Sequence, residues 1–294
     1  MTVSVPDIRI LKAGDEAALE AFLLPRVESS MFLIGNLRAS GLRDTGQPYS
    51  GTYAAAFDDR RITAVAAHYW NGVLVLQAPV FLEAICRAAV EASQRPIGGL
   101  IGPSEQVSSV KQALGIDSVA IQLDELEKLY SLQLTDLVVP TVLGSGEVTG
   151  RRMEPGDVEL LTMWRVAYAI ETLSASDGPE LRQRSQEAIK RWQREGHGWV
   201  LERDGETVAM GGFNTAMEEA VQIGGVYTPP NLRRRGYGRA VVAASLLDAR
   251  REGVGQAILF TGVDNIAAQK AYTALGFRYV GEYRMMLLEL AQTV

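Results

Sequence analysis

Two periods of apolar residues run along this 294-residue chain, and each change of period marks an element. Alternation or short apolar runs predict strands at Asp7–Leu11, Tyr53–Phe57, Ile62–Ala67, Val73–Gln77, Ile97–Ile101 and Leu126–Leu134. Asp58-Asp59-Arg60-Arg61 and Asn71-Gly72 lie between runs and read as hairpin turns. Helical spacing predicts helices over 15–24, 28–42, 81–93 and 104–114. The second half repeats this order. A strand at Val148–Met153 precedes helices over Asp157–Leu173 and Pro179–Glu195, the latter amphipathic around Leu181, Ile189 and Trp192. A hairpin then pairs 198–202 with 207–210 across Asp204-Gly205. Strands follow at 221–227 and 257–263, each leading into a helix, and a last hairpin is expected through Phe277–Leu290.

The repetition predicts two domains, 1–139 and 148–294, joined by a short linker at 140–147. Gln112-Ala113-Leu114-Gly115-Ile116 parallels Thr273-Ala274-Leu275-Gly276-Phe277, and Tyr130–Leu134 parallels the Tyr283–Leu290 tail. Each half is long enough to bury its own core.

One stretch carries chemistry. Val221–Tyr227 has strand character, and Pro229-Pro230 stops any sheet ladder. Arg233-Arg234-Arg235-Gly236-Tyr237-Gly238-Arg239 then opens a helix that ends near Arg250-Arg251-Glu252-Gly253. Gly236 and Gly238 fall where the first helical amides lack partners, and the helix dipole adds about half a positive charge there. With four arginines around it, this strand–loop–helix junction predicts an anion site suited to a diphosphate. It is neither a Walker loop nor the Gly-x-Gly-x-x-Gly dinucleotide fingerprint.

Downstream, Asn265-Ile266-Ala267-Ala268-Gln269-Lys270-Ala271-Tyr272-Thr273-Ala274-Leu275-Gly276-Phe277 follows an apolar strand. With Arg-x-x-Gly-x-Gly before it, this Asn-x-x-Ala-x-x-x-Tyr-x-x-x-Gly-Phe pattern resembles the GNAT (Gcn5-related N-acetyltransferase) superfamily. The resemblance is tight from Val221 to Leu288 and looser upstream. It implies an α/β (α+β) protein with two tandem GNAT-like domains, each a mixed, mostly antiparallel central sheet flanked by helices. The first half lacks Arg-x-x-Gly-x-Gly and has Lys111 where the second has Tyr272, so it reads as a degenerate copy that does not bind acetyl-CoA.

The function this implies is transfer of the acetyl group of acetyl-CoA to a primary amine by direct attack. Arg233, Arg234, Arg235, Gly236, Tyr237, Gly238 and Arg239 would hold the diphosphate. The pantetheine arm would run along Gly225–Thr228, with Val226, Tyr227 and Thr228 in contact. An amide of Val226 or Tyr227 would face the thioester oxygen. Tyr272 is the implied general acid for the thiolate, and Asn265 either contacts the cofactor or caps its helix. Glu171, at the end of the first helix of the second half, is the foremost candidate base, followed by Glu218, Glu219 and His197. A solvated carboxylate is the plainer account of each acid. Trp164, Tyr168 and Trp70 fit a cleft or a core equally well. Two rival functions keep the same fold. One is a non-catalytic acyl-CoA-binding or regulatory protein, and the other an acyltransferase with a different acyl donor.

Bulk properties narrow the partners. A net charge of −6 gives the whole chain no electrostatic case for nucleic acid. A single cysteine, Cys86, in an apolar context excludes an intrachain disulfide and reads as core, as does His68. No His/Asp/Glu cluster has metal-ligand spacing, so no metal is expected. The expected setting is cytoplasmic, as monomer or homodimer, with no membrane contact and a small-molecule or peptide amine as acceptor.

Overall fold

The computed structural model describes residues 7–172 and 175–292, so Leu173, the expected last residue of one helix, lies outside the described residues. The chain divides into two units, Met1–Leu129 with Val280–Val294, and Tyr130–Tyr279.

In the first unit the predicted elements follow in order. They are β1 (Asp7–Ile10), α1 (Glu16–Leu23), α2 (Val27–Ser40), β2 (Gly51–Asp58), β3 (Arg61–Tyr69), β4 (Val73–Gln77), α3 (Leu82–Ser93), β5 (Ile97–Pro103), α4 (Ser104–Ala113) and the start of β6 (Ile121–Gln133). Neighbours from β1 to β4 are antiparallel, and β4 and β5 are parallel. The Asn71-Gly72 turn forms as expected, with Gly72 at φ +76°. His68 is buried and braces that turn. Its Nε2 lies 3.1 Å from the Gly72 carbonyl oxygen, and its Nδ1 lies 2.6 Å from Ser93 Oγ. Cys86 is fully buried, and burial pushes its thiol up to about 12. Both residues are structural, as the sequence suggests.

The last strand departs from expectation. Residues 277–290 do not fold back as a hairpin; they run as one strand, β12 (Arg278–Gln292), with Gly281 at φ +154°. Beyond Val280 this strand belongs to the first unit, where it pairs antiparallel with β5, Met285 opposite Ile101. The expected domain limits, 1–139 and 148–294, therefore differ from the units at both ends. The physical reason is an edge. β5 supplies a ladder and a core for the tail, and Met286 and Leu288 bury beside Leu74 and Leu100. Arg284 fastens the strand to β6 by donating to both carboxylate oxygens of Asp124, each at 2.6 Å.

The second unit holds the end of β6, α5 (Thr141–Gly144), β7 (Thr149–Arg152), α6 (Val158–Thr172), α7 (Pro179–Glu195), β8 (Gly198–Arg203), β9 (Glu206–Ala216), β10 (Ala220–Tyr227), α8 (Tyr237–Arg251), β11 (Gln256–Gly262) and α9 (Ile266–Thr273). Its strand order is β6-β11-β10-β9-β8-β7. β7 to β10 are antiparallel neighbours, whereas β10 and β11 run parallel. Alternation along the strands sends side chains to two cores. Val221, Ile223, Leu201, Phe213 and Leu259 meet Ala240, Val241 and Leu246 of α8. Val200, Met210 and Tyr227 meet Leu161 of α6 and Ile189 and Trp192 of α7. Each large apolar side chain buried in this way contributes about 1.5–3 kcal/mol. Trp199 is buried too, and its indole donates to Asp248 Oδ2 at 2.9 Å, which ties β8 to α8.

A candidate acetyl-CoA site in the second unit

The site forms where β10 leaves the sheet. Its ladder with β11 ends at Ile223 opposite Leu259, although β11 continues to Gly262. On the other side the register with β9 shifts between Gly224 and Tyr227, a bulge centred on Gly225 at φ +58°. The peptide between Gly225 and Val226 is thus released from both neighbours. An amide freed in this way can face a carbonyl oxygen in the parting between strands. Val226 and Tyr227, the residues expected to offer such an amide, directly follow the bulge.

Past Thr228 the chain makes a short turn at Pro230–Leu232 and enters α8 with no side chain capping its start. Arg234 (φ +65°) and Gly236 (φ +82°) take left-handed backbone. For Arg234 that conformation costs about 1–2 kcal/mol. The left-handed step at Gly236 directly before the right-handed residues of α8 turns successive amides onto one concave side, a geometry that binds anions. The amides of Tyr237, Gly238 and Arg239 have no carbonyl partner in the helix. Gly238 leaves open the space beside Thr228 and Val226; a Cβ there would lie 3.6 Å from Thr228 Oγ1 and 3.8 Å from Val226 Cγ1. Arg234, Arg235 and Arg239 are exposed and pair with no carboxylate among the described residues. These features fit a diphosphate.

Two loop residues play parts the sequence did not indicate. Tyr237 is buried, and its hydroxyl accepts from Arg203 at 2.9 Å, so only its backbone faces the loop. Arg233 is already committed. It donates to the Thr228 carbonyl at 2.9 Å and to Glu171 Oε2 at 2.5 Å, with its guanidinium over the Tyr227 ring. Tyr227 donates its hydroxyl to the other oxygen of Glu171 at 3.1 Å. Arg233 holds the Glu171 carboxyl below its ordinary range, so it is ionised and weakly basic at neutral pH. Here Glu171 fastens α6 to the loop and to β10.

Tyr272 projects from α9 against Phe277, their rings 5.9 Å apart. Burial, with the neighbouring Tyr168, raises its phenol well above the ordinary value, so it carries its proton at neutral pH, as a proton donor must. Asn265 caps α9 by accepting from the Ala268 amide at 3.1 Å. Gln269 adds bonds to the carbonyls of Gly262 and Val263 and holds the turn out of β11.

The remaining candidates lie elsewhere. Glu218 and Glu219 sit in the turn just before β10, roughly 20 Å of extended chain from the bulge. His197 is half-buried in the turn before β8, 3.3 Å from Glu195 and against Phe213, and burial lowers its pKa. No group of three or more potential metal ligands occurs among the described residues.

One site residue was missed. Arg165 on α6 reaches the bulge, and a Cβ on Gly225 would lie 2.5 Å from its Nη1. Its signal was present in the sequence as a lone cation in the apolar run Leu160–Ile170.

In the first unit the corresponding loop is built differently. β4 leads through Ala78-Pro79 to α3, whose first turn carries Glu83. The Ala78 amide is taken by Gln106 Oε1 at 2.8 Å.

Residues 167–277 match the family model of the GNAT acetyltransferases. The chain carries a GNAT-family domain. A mycothiol acetyltransferase of Streptomyces griseus is 32% identical over 183 residues, which cover 60% of this chain and 56% of that protein; this chain thus spans little more than half of that relative. An acetyltransferase of the GNAT family from Colwellia psychrerythraea has a TM-score of 0.55 at 15% identity, covering 96% of this chain and 99% of the other. A tandem GNAT protein of the clavulanic acid pathway has a TM-score of 0.54 at 12% identity, covering 96% and 98%. Likeness over nearly the whole length extends the tandem GNAT fold to both units. Among the described residues no helix is long and apolar enough to cross a membrane.

Proposed function

We propose that the second unit transfers the acetyl group of acetyl-CoA to a primary amine. The observation that carries this reading is the parting of β10 from β11 at a bulge, directly ahead of an uncapped, arginine-flanked helix start. Those features line up a thioester site and a diphosphate site on one continuous path.

In this reading the free amides of Tyr237, Gly238 and Arg239 bind the diphosphate, and Arg234, Arg235 and Arg239 add charge. Glu171 and Arg233 hold the loop to α6. The amide of Val226 or Tyr227 stabilises the oxyanion as the amine nitrogen attacks the thioester carbonyl carbon. When the carbon–sulfur bond breaks, Tyr272 gives its proton to the leaving sulfur, and the proton shed by the amine passes to solvent. With one carboxylate oxygen engaged by Arg233 and the other by Tyr227, Glu171 is read as a positioning residue rather than the base. The first unit, with Glu83 at the start of α3 in place of a glycine loop, is read as a copy without acetyl-CoA.

The test is calorimetric titration with acetyl-CoA, followed by thiol release with a panel of amines. One site per chain and amine-dependent release are expected. No heat of binding in protein shown to be folded would overturn the reading.

A further inference from the structure

Arg165 is a partly buried cation of this site that pairs with no carboxylate among the described residues, whereas the unpaired Arg234, Arg235 and Arg239 lie in solvent. Its guanidinium lies against two aromatic rings, its Cζ 5.2 Å from the centroid of Tyr168 and 5.6 Å from that of Trp192. Such rings favour the cation through their faces but leave the in-plane N–H donors unspent. Among the described residues none accepts a hydrogen bond from Arg165, and none pairs with it. Glu171, on the same helix, is taken by Arg233 and Tyr227. A second cation, Arg191 of α7, is close enough to lower the pKa of Arg165 further, beyond the larger effect of burial. An arginine keeps its charge even so, and a half-buried guanidinium beside another cation is costly unless an anion joins it.

Its placement is specific. Gly225 gives up the side-chain space that Nη1 and the Trp192 ring occupy, each 2.5 Å from where a Cβ would stand. The guanidinium is thereby held at the bulge, one peptide before the amide assigned to the thioester oxygen. An anion seated on it is within a few ångströms of the reacting carbonyl. A planar fork of donors matches a carboxylate bidentately.

We propose that Arg165 binds a carboxylate of the acceptor, and that the acceptor is an α-amino carboxylate. One carbon between amine and carboxylate spans the short gap from the guanidinium to the thioester. The nitrogen forms its bond to the acetyl carbon as the bond to sulfur breaks. Its proton leaves to water, and the sulfur is protonated by Tyr272. This inference rests on the acetyl-transfer reading above.

The test compares the protein amino acids that have a primary α-amine with their α-carboxamides, which lack that charge, with rates corrected for the fraction of free amine in each. The wild type is expected to acetylate at least one amino acid with a kcat/KM about ten- to a hundredfold above its amide, the span of a charge-assisted hydrogen bond. In Arg165→Gln the ratio collapses toward one, whereas Arg165→Lys keeps part of it. Equal use of amides by the wild type, or equal loss for both members in Arg165→Gln, overturns the assignment. Acetyl-CoA titration separates the two levels. If the cofactor fails to bind, the acetyl-transfer reading falls. NMR binding of the same pairs to the cofactor-free protein then decides the role of Arg165. Absence of any preference for the acids in that measurement overturns it as well.

Discussion

Replacing Gly238 with Asp should move stability and cofactor affinity in opposite directions. Gly238 is the second residue of α8 and has ordinary helical φ, so a side chain is allowed there. Its nearest neighbours would be 3.6 and 3.8 Å from the new Cβ, which is normal contact. Leaving glycine gains a few tenths of a kcal/mol of helix propensity, and a carboxylate in the first turn adds about 0.3–1 kcal/mol against the dipole. The variant should therefore melt at the wild-type temperature or a few degrees above it. A diphosphate at the same amides would meet this carboxylate at roughly 5 Å. At an effective dielectric of about 20–40 that repulsion is about 1.5–3.5 kcal/mol, or roughly ten- to three-hundredfold in affinity. Calorimetric titration with acetyl-CoA beside a melting curve measures both. Gly238→Asn separates charge from bulk, and the gap between Asn and Asp should shrink as salt is raised. Affinity within threefold of wild type, in a variant that melts as stated, would refute the diphosphate assignment.

Three further outcomes are expected. Tyr272→Phe should lower turnover about a hundredfold with acetyl-CoA affinity unchanged, because only the proton donor is lost; a single-turnover thiol assay reads the step. Glu171→Gln should change turnover less than about fivefold and stability by under about 1 kcal/mol, since its pair with Arg233 is more than a third exposed. A hundredfold loss of turnover would instead make Glu171 the base. Asp157 accepts from Arg151 at 2.7 and 3.0 Å and from the Glu154 amide, and the arginine holds its pKa below the ordinary value. Its stabilisation is thus full above the unfolded pKa of about 3.9 and is lost as pH falls through the lower folded value. Asp157→Asn should cost about 1–3 kcal/mol at pH 7, and urea melts should show the gap closing below about pH 4.

Local chemistry was legible in the chain. Gly236 and Gly238, with no capping side chain before them, specify an uncapped helix start, because capping and left-handed backbone are decided within a few residues. Asn265 specifies the start of α9 in the same way. Alternation located nearly every strand. The tertiary structure decided what depends on partners distant in sequence. Strand β12 alternates in the same way whether it folds back on itself or joins β5, and only the free edge and core of the first unit select the second outcome. The bulge at Gly225 is a mismatch of register between β10 and β9; Gly224-Gly225 permits it, but only the pairing of the two strands places it. Tyr237 carries a motif position but turns its side chain to Arg203, since the face a residue presents is set by what packs over it. Glu171 and Arg233 are far apart in the chain and become a clamp only when α6 lies across β10. Arg165 gains its meaning in the same way. A cation in an apolar helix is visible in the sequence, but the rings beneath it, and the lack of a carboxylate partner among the described residues, exist only in the fold.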